Sequence, residues 1–443
     1  MKRRTFVATA TGAVFALPRF VPSSALGQDG EVAASNRIAI GCIGVGNRGR
    51  QVLDGLLNHR DARVVAVCDV NARQRSAAVR RVDDHYQATG CRAHHDFREL
   101  LARDDVDVVL IATPDHWHVV MALAAARVGK DIYLEKPIGV TLAEARALRA
   151  AVRRYDTVLQ FGTQQRSDGR FRTACELVRN GRIGRLRTVC VWSPGSNAGG
   201  SLERVPVPEW LDYEMWVGPA PMSPYTKHRS TNRFEPGDPS KIWPFISDYC
   251  VGWISGWGVH PMDIALWGAG DSLSGPLEIE GTGRFPAEGL CDTATDWDLA
   301  IEFRTGVTLN FAGPASSSKW RGRFGKHGPH GTVFVGTEGW VHVDRSGIYA
   351  DPPGLLQSSI GPTEIRLPKS DNHGRDLLDC VKTRGRPVSH IDSAYAVETI
   401  CQVSAIAAKL GRRLRWDAGG ERFVDGRIAD TLLSRAMRSP WHL

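Results

Sequence analysis

No CxxC pair occurs anywhere in the 443 residues. The nine cysteines (Cys42, Cys68, Cys91, Cys175, Cys190, Cys250, Cys291, Cys380 and Cys401) are odd in number and widely spaced. That pattern argues against a disulfide framework and a zinc site, and no metal is expected. Cys42 and Cys68 lie in apolar runs and read as small buried hydrophobes. No apolar run approaches the ~20 residues that cross a bilayer, so stable membrane insertion is not expected. No internal repeat is visible, which sets solenoids and propellers aside. The formal charge is +8, but the arginines are scattered among acids. Without a basic stripe, nucleic acid is not an expected partner.

What is present begins at the N-terminus. Lys2-Arg3-Arg4-Thr5-Phe6-Val7 sets adjacent arginines before a short apolar region, Phe6 to Leu17, and small residues follow up to Ala25-Leu26-Gly27. The pattern resembles a twin-arginine signal, the alternative being a basic, disordered terminus. The expectation is a signal peptide over 1–27, a linker over 28–36, and a periplasmic or otherwise exported protein.

Strands and helices then alternate. Apolar runs at 37–43, 62–69, 106–113, 131–137 and 157–163 read as strands, and the amphipathic stretches between them as helices. Such alternation implies a parallel, doubly wound α/β sheet covered on both faces. Gly44-Val45-Gly46-Asn47-Arg48-Gly49 follows the first strand and opens a helix. There Gly44 permits the tight turn, Gly46 lets a pyrophosphate approach the backbone, and Gly49 lets helix and strand pack closely. The helix N-terminus offers free N–H groups to the phosphates. Asp69 ends the second strand, where a carboxylate accepts from ribose hydroxyls and favours NAD; its alternative role is to cap the next helix. Arg73 and Arg75 follow closely and leave NADP open. A lysine at the carboxyl end of a parallel strand, as in Glu135-Lys136-Pro137, points into the ligand crevice, and partial desolvation there lowers its pKa.

The combination of GxGxxG, Ala112-Thr-Pro-Asp-His-Trp-His118, Glu135-Lys-Pro137 and Gly256-Trp-Gly-Val-His-Pro-Met-Asp-Ile-Ala265 resembles the Gfo/Idh/MocA oxidoreductase family over nearly the whole chain after the leader. The resemblance implies a Rossmann domain (37–164) and an α+β substrate and oligomerisation domain (165–415) with a large, open, mostly antiparallel sheet. A tail (416–443) packs back on the body. It implies Lys136 and His260 as catalytic residues, a cis bond before Pro137, and a homodimer or homotetramer. Gly44, Gly46, Asn47, Arg48, Gly49, Asp69, Thr113, Pro114, Glu135, Lys136 and Gln164 would hold the cofactor, with Gln160 and Gly162 as further contributors. Asp263 either takes substrate hydroxyls or supports its helix; His118 either reaches the crevice or is buried.

Pro261 suits the first position of a helix, which puts His260 at the helix entry, pointing outward. Many relatives carry an aspartate four residues before this histidine; here Gly256 stands in its place, so a relay through that carboxylate is missing. Seven of the 13 tryptophans (Trp192, Trp210, Trp216, Trp243, Trp253, Trp257 and Trp267) fall between 192 and 267. Aromatic faces stack on sugar CH faces and equally make good core. Trp253 and Trp257 are the candidates for walls of a carbohydrate site. The basic loop at 225–233 would cover the cleft or simply be solvated.

Outside the cell no nicotinamide pool recharges a lost cofactor. The expected function is therefore an exported NAD(P)-dependent oxidoreductase that acts on a sugar or polyol hydroxyl and holds its cofactor tightly. The alternatives are a redox-neutral NAD-dependent glycosidase and a non-catalytic cofactor-binding protein.

Overall fold

The structure is a computed structural model that describes residues 32–227, 229–230, 242–424 and 426–443. The leader 1–27, the linker residues 28–31, and parts of the basic loop lie outside the described residues. Residues 1–37 form a unit of their own, in which Ala34–Asn36 make one turn of 3-10 helix. All that follows concerns residues 38–443.

The N-terminal half of this unit alternates without exception. Its elements are β1 (Ile38–Ile43), α1 (Asn47–Leu57), β2 (Ala62–Cys68), α2 (Ala72–Tyr86), β3 (Arg92–His94) and α3 (Phe97–Leu101), then β4 (Val108–Ile111), α4 (Asp115–Arg127), β5 (Asp131–Leu134), α5 (Leu142–Arg154) and β6 (Leu159–Phe161). The strands pair in parallel in the order β3-β2-β1-β4-β5-β6. β4 and β5 are buried throughout, as expected for strands covered on both faces. The switch between β2-β1 and β1-β4 opens a crevice at the carboxyl ends, where the glycine turn sits.

The second half follows with α6 (Gly169–Arg179), β7 (Leu186–Trp192), α7 (Tyr213–Val217), α8 (Trp253–Gly256), α9 (Val259–Ala269), β8 (Leu277–Arg284), β9 (Asp296–Phe303), β10 (Thr308–Ala312) and α10 (Pro314–Ser317). It ends with β11 (Gly331–Gly336), β12 (Trp340–Asp344), β13 (Gly347–Asp351), α11 (His373–Thr383), α12 (Ile391–Leu410), β14 (Leu414–Asp417), β15 (Arg422–Phe423) and α13 (Arg427–Thr431). Nine strands order as β13-β12-β11-β7-β10-β9-β8-β14-β15, antiparallel except for the β7–β10 pair. A parallel Rossmann sheet beside a mostly antiparallel one is the expected fold class.

Apolar runs at 186–192, 297–304, 306–312, 332–336 and 339–344 also read as strands and are β7, β9, β10, β11 and β12, whereas sequence pattern missed β3, β8, β13, β14 and β15. β8 alternates in burial but carries two glycines and charged outward positions, and β3, β14 and β15 are too short to show a period. All nine cysteines are free thiols. No helix among the described residues is long and apolar enough to cross a membrane. The tail reaches the first domain, where Trp441 packs edge-on against Trp117 with centroids 4.6 Å apart.

Candidate active site

A cleft of about 850 Å³ lies between the two sheets' domains. One wall is the glycine turn. Gly44 has φ +78°, and a side chain there would meet the Ala112 backbone at 2.7 Å. A Cβ on Gly49 would strike the Gly44 oxygen at 1.9 Å, whereas one on Gly46 would meet nothing within 4 Å. The turn is thus closed on the protein side and open toward the cleft. Asp69 secures it by accepting from Val45 N–H at 2.9 Å and Asn71 N–H at 2.9 Å. It does not cap α2; Asn71 does, accepting from the backbone of Arg73 and Gln74. The neighbouring arginines have local partners: Arg73 lies over Trp210, and Arg75 bonds the Asp69 carbonyl.

Arg48, on the first turn of α1, donates to Glu135 at 2.8 Å. Gln164 donates to the same Glu135 oxygen at 3.1 Å and to the Tyr133 hydroxyl at 2.9 Å. Asn47, Thr113 and Pro114 also line the cleft. Gln160 does not; it is fully buried and bonds His373 and Asp376.

Lys136 follows β5 and crosses the cleft to donate to the Gly256 carbonyl at 2.7 Å. Its bond to Pro137 is cis. Burial lowers its pKa, against the pull of Glu135 and Asp115. Asp115 opens α4 directly after Pro114. The structure buries it beside this lysine, and burial pushes its carboxyl up to about 8. His118 is 1 % exposed and lies between the carbonyls of Pro137 and Thr113 at 2.6 and 2.9 Å. It touches the cleft, but both ring nitrogens are engaged with backbone.

The facing wall is α8 and α9. Gly258 is helical, so α9 starts at Val259 and Pro261 lies inside the first turn rather than opening it. Pro is tolerated there because those N–H groups have no intrahelical acceptor. His260 therefore does not project from a loop; it is buried, 4 % exposed, and lines the cleft. Burial, then the charges of Lys136 and Arg345, hold its pKa well below normal. Trp257 packs against His260 and against His330, with ring centroids at 5.3 and 4.8 Å, and Trp253 lines the cleft beside it. Trp192 and Trp267 are buried elsewhere.

Asp263 is not available to substrate. Both its oxygens accept from Arg166, at 2.6 and 2.8 Å, and both residues are buried. Arg166 also bonds Val388, so the pair ties α9 to the segment after β6. Glu398 on α12 makes a second tie, accepting from Ile138 N–H and the Ser255 hydroxyl. It joins the strand-end loop after Lys136 to α8, and fixes the two walls against each other. Neither tie had a local sequence signal.

Four buried polar atoms on residues lining the cleft have no partner: Thr113 Oγ1, Glu135 Oε2, Gln165 Oε1 and His260 Nδ1. An open phosphate-sized turn plus unspent polar atoms fits a dinucleotide, held by the backbone of 44–49, Asp69, Thr113 and Glu135. No group of three or more potential metal ligands occurs among the described residues.

Fold and cleft together define a protein with a dinucleotide-binding Rossmann domain and a mostly antiparallel second domain. Residues 38–163 match the oxidoreductase family with an NAD-binding Rossmann fold, and residues 188–312 and 349–443 match that family's C-terminal alpha/beta domain. The chain belongs to the Gfo/Idh/MocA oxidoreductase family. It is 43 % identical over 114 residues to a glycosyl hydrolase family 109 protein of Saccharopolyspora erythraea, covering 25 % of each chain. It is 29 % identical over 174 residues to the myo-inositol 2-dehydrogenase of Thermotoga maritima, 39 % of this chain and 47 % of that one. The matches thus span from a quarter to under half of these relatives' length. In fold it is similar to the aldose-aldose oxidoreductase of Caulobacter crescentus, at TM-score 0.59 and 19 % identity over 85 % of this chain and 99 % of that one. GenD2 from gentamicin A biosynthesis, solved with NAD, gives TM-score 0.60 at 19 % identity over 88 % and 99 %.

Proposed function

We propose that the protein is an exported NAD(P)-dependent oxidoreductase acting on a sugar or polyol hydroxyl, with its cofactor retained between turnovers. The observation that carries this reading is Lys136, desolvated and anchored 2.7 Å from the Gly256 carbonyl, facing a neutral His260. The nicotinamide, when bound, supplies the hydride acceptor or donor. The chain's own residues handle the proton. Lys136 has a lowered pKa, so its Nζ takes a hydroxyl proton more readily than a surface lysine and returns it in the reverse direction. His260 accepts a hydrogen bond from a neighbouring hydroxyl, and Trp253 and Trp257 offer flat apolar faces to the ring. Asp69, at the end of β2, favours NAD, while Arg50 and Arg75 close to it keep NADP open.

A second reading is supported by the family 109 glycosyl hydrolase named among the relatives. Transient oxidation of a ring hydroxyl acidifies the adjacent C–H, which permits elimination of the aglycone; water then adds to the resulting double bond, and the ketone is re-reduced to the free sugar. Lys136 and His260 would serve both routes.

Heat-released nucleotide from protein purified without added cofactor tests retention: stoichiometric NAD is expected, and its absence removes the retained-cofactor reading. Aryl glycosides and polyols then separate the routes. NADH accumulation or coupled reduction of a second sugar supports the oxidoreductase; aglycone release with no NADH supports the glycosidase. Cell fractionation tests export, and light scattering tests the homodimer or homotetramer that this reading includes.

A further inference from the structure

Arg345 occupies the tight turn between β12 and β13, is exposed, and lines the cleft. The turn does not depend on its side chain. Asp344 Oδ1 accepts from Ser346 N–H at 2.6 Å and Gly347 N–H at 3.1 Å, while Oδ2 accepts from Gly328 N–H at 2.5 Å. Arg170, itself paired with Asp168, donates to the Arg345 carbonyl at 3.1 Å. The guanidinium carbon lies 4.9 Å from the centre of the Trp257 ring. Ring contact of this kind orients a guanidinium but leaves its N–H donors unspent. Among the described residues Arg345 forms no ion pair.

The acids nearest it are engaged elsewhere: Asp344 with three backbone N–H groups and Asp168 with Arg170. Arg48 is answered by Glu135. Burial pushes the Asp115 carboxyl up to about 8, so it is mostly protonated at neutral pH and offsets little of the positive charge. Lys136 adds positive charge whenever it is protonated. His330, which also packs against Trp257, is 4 % exposed with its Nδ1 unpartnered, and burial followed by Arg345 holds it neutral. A guanidinium with unspent, forked donors matches carboxylate and phosphate oxygens.

We propose that the substrate carries an anionic substituent, a carboxylate or a phosphate, received by Arg345 over the Trp257 ring. This rests on the sugar-hydroxyl reading and narrows its substrate class to acidic sugars. Arg345 fixes which end of the sugar points away from Lys136, and neutral aldoses lose that anchor.

Calorimetric titration of the full chain with D-glucuronate, D-galacturonate and glucose 6-phosphate, against D-glucose and D-galactose, tests it. At least one charged probe should bind about tenfold tighter than its neutral parent, the scale of a charge-assisted hydrogen bond. Preference for a uronate or for the sugar phosphate identifies the anion. Arg345→Ala should erase the margin and leave NADH affinity unchanged, and Arg345→Lys should restore part of it. Equal binding of charged and neutral probes overturns the proposal, as does a preference that survives Arg345→Ala. Lost NADH affinity in Arg345→Ala also overturns it, by assigning the arginine to the cofactor. Wild-type protein that fails to bind NADH but still prefers an anionic probe sinks the oxidoreductase reading and leaves the anion site standing, because titration needs no turnover.

Discussion

The glycine-turn wall and the tryptophan–histidine wall face each other across one cleft, yet they draw on the chain differently. On the first wall, the turn, Arg48, Asp69 and the Glu135–Lys136 pair each sit just past a strand of one parallel sheet. On the second, Trp257 and His260 come from the α8–α9 region, His330 from the start of β11 and Arg345 from the β12–β13 turn. The first wall recognises what every dinucleotide shares. The second is assembled from segments tens of residues apart, and in the proposed function it is the wall that meets the substrate. The two walls meet at the hydrogen bond from Lys136 to the Gly256 carbonyl, and the proposed function puts proton handling there.

The largest expected effect strikes that meeting point. Lys136→Met should lower turnover by about 10²–10⁴-fold, the range of a lost general acid–base group, while NADH titration shows unchanged affinity. His260→Gln, measured alongside, should cost less. If Lys136→Met left kcat intact, the proton chemistry would belong to the second wall alone and the comparison would break.

Next comes the tie that holds the second wall in place. Asp263→Ala leaves Arg166 buried and unpaired, and losing one partner of such a pair costs about 3–5 kcal/mol. Urea unfolding should show that loss, with kcat per folded molecule nearly unchanged. A variant of full stability and no activity would instead return Asp263 to the substrate.

These two residues also mark what the sequence revealed and what it hid. Lys136 was legible because a strand end, a glutamate and a proline are contiguous, and the Rossmann order was legible because parallel strands are apolar throughout. Asp263 was misread in part because its partner, Arg166, lies 97 residues away with no shared pattern. His330 and Arg345 gave no signal at all: each is one polar residue at the end of a strand, and only the antiparallel ladder of β7, β11 and β12 carries them to Trp257. Asp115 was seen, but its burial was not, because helix-start acids are usually solvated.

Asp115 offers a smaller test through pH. Its ordinary value is 3.8 and its folded value about 8, so the folded state holds a proton that the unfolded chain releases. Its contribution to stability is therefore complete below about 4 and is lost as pH climbs toward 8. Asp115→Asn should flatten that decline, so that variant and wild type differ more in unfolding free energy at pH 8 than at pH 5. An unchanged slope would mean that the carboxyl ionises normally and that negative charge sits beside Lys136 at neutral pH.

The smallest expected effect comes from giving the second wall the carboxylate that many relatives carry. Gly256 ends α8 without a left-handed φ, and a Cβ there would meet only Trp253 Cδ1, at 3.5 Å. Gly256→Asp should therefore fold, and it sets an acid on the residue whose carbonyl already binds Lys136. An opposite charge within about 4–6 Å favours the protonated amine and moves a pKa by roughly 1 unit or more. Burial now lowers the Lys136 pKa, and the new carboxylate opposes that shift. The limb of the kcat/KM profile that reports the free amine should then move to higher pH by roughly 1 unit, with less activity at neutral pH. NADH affinity should not change, since the first wall is untouched. A limb that stays in place would separate Lys136 from the titration that limits the rate, and would move the proton-accepting role across the cleft to His260.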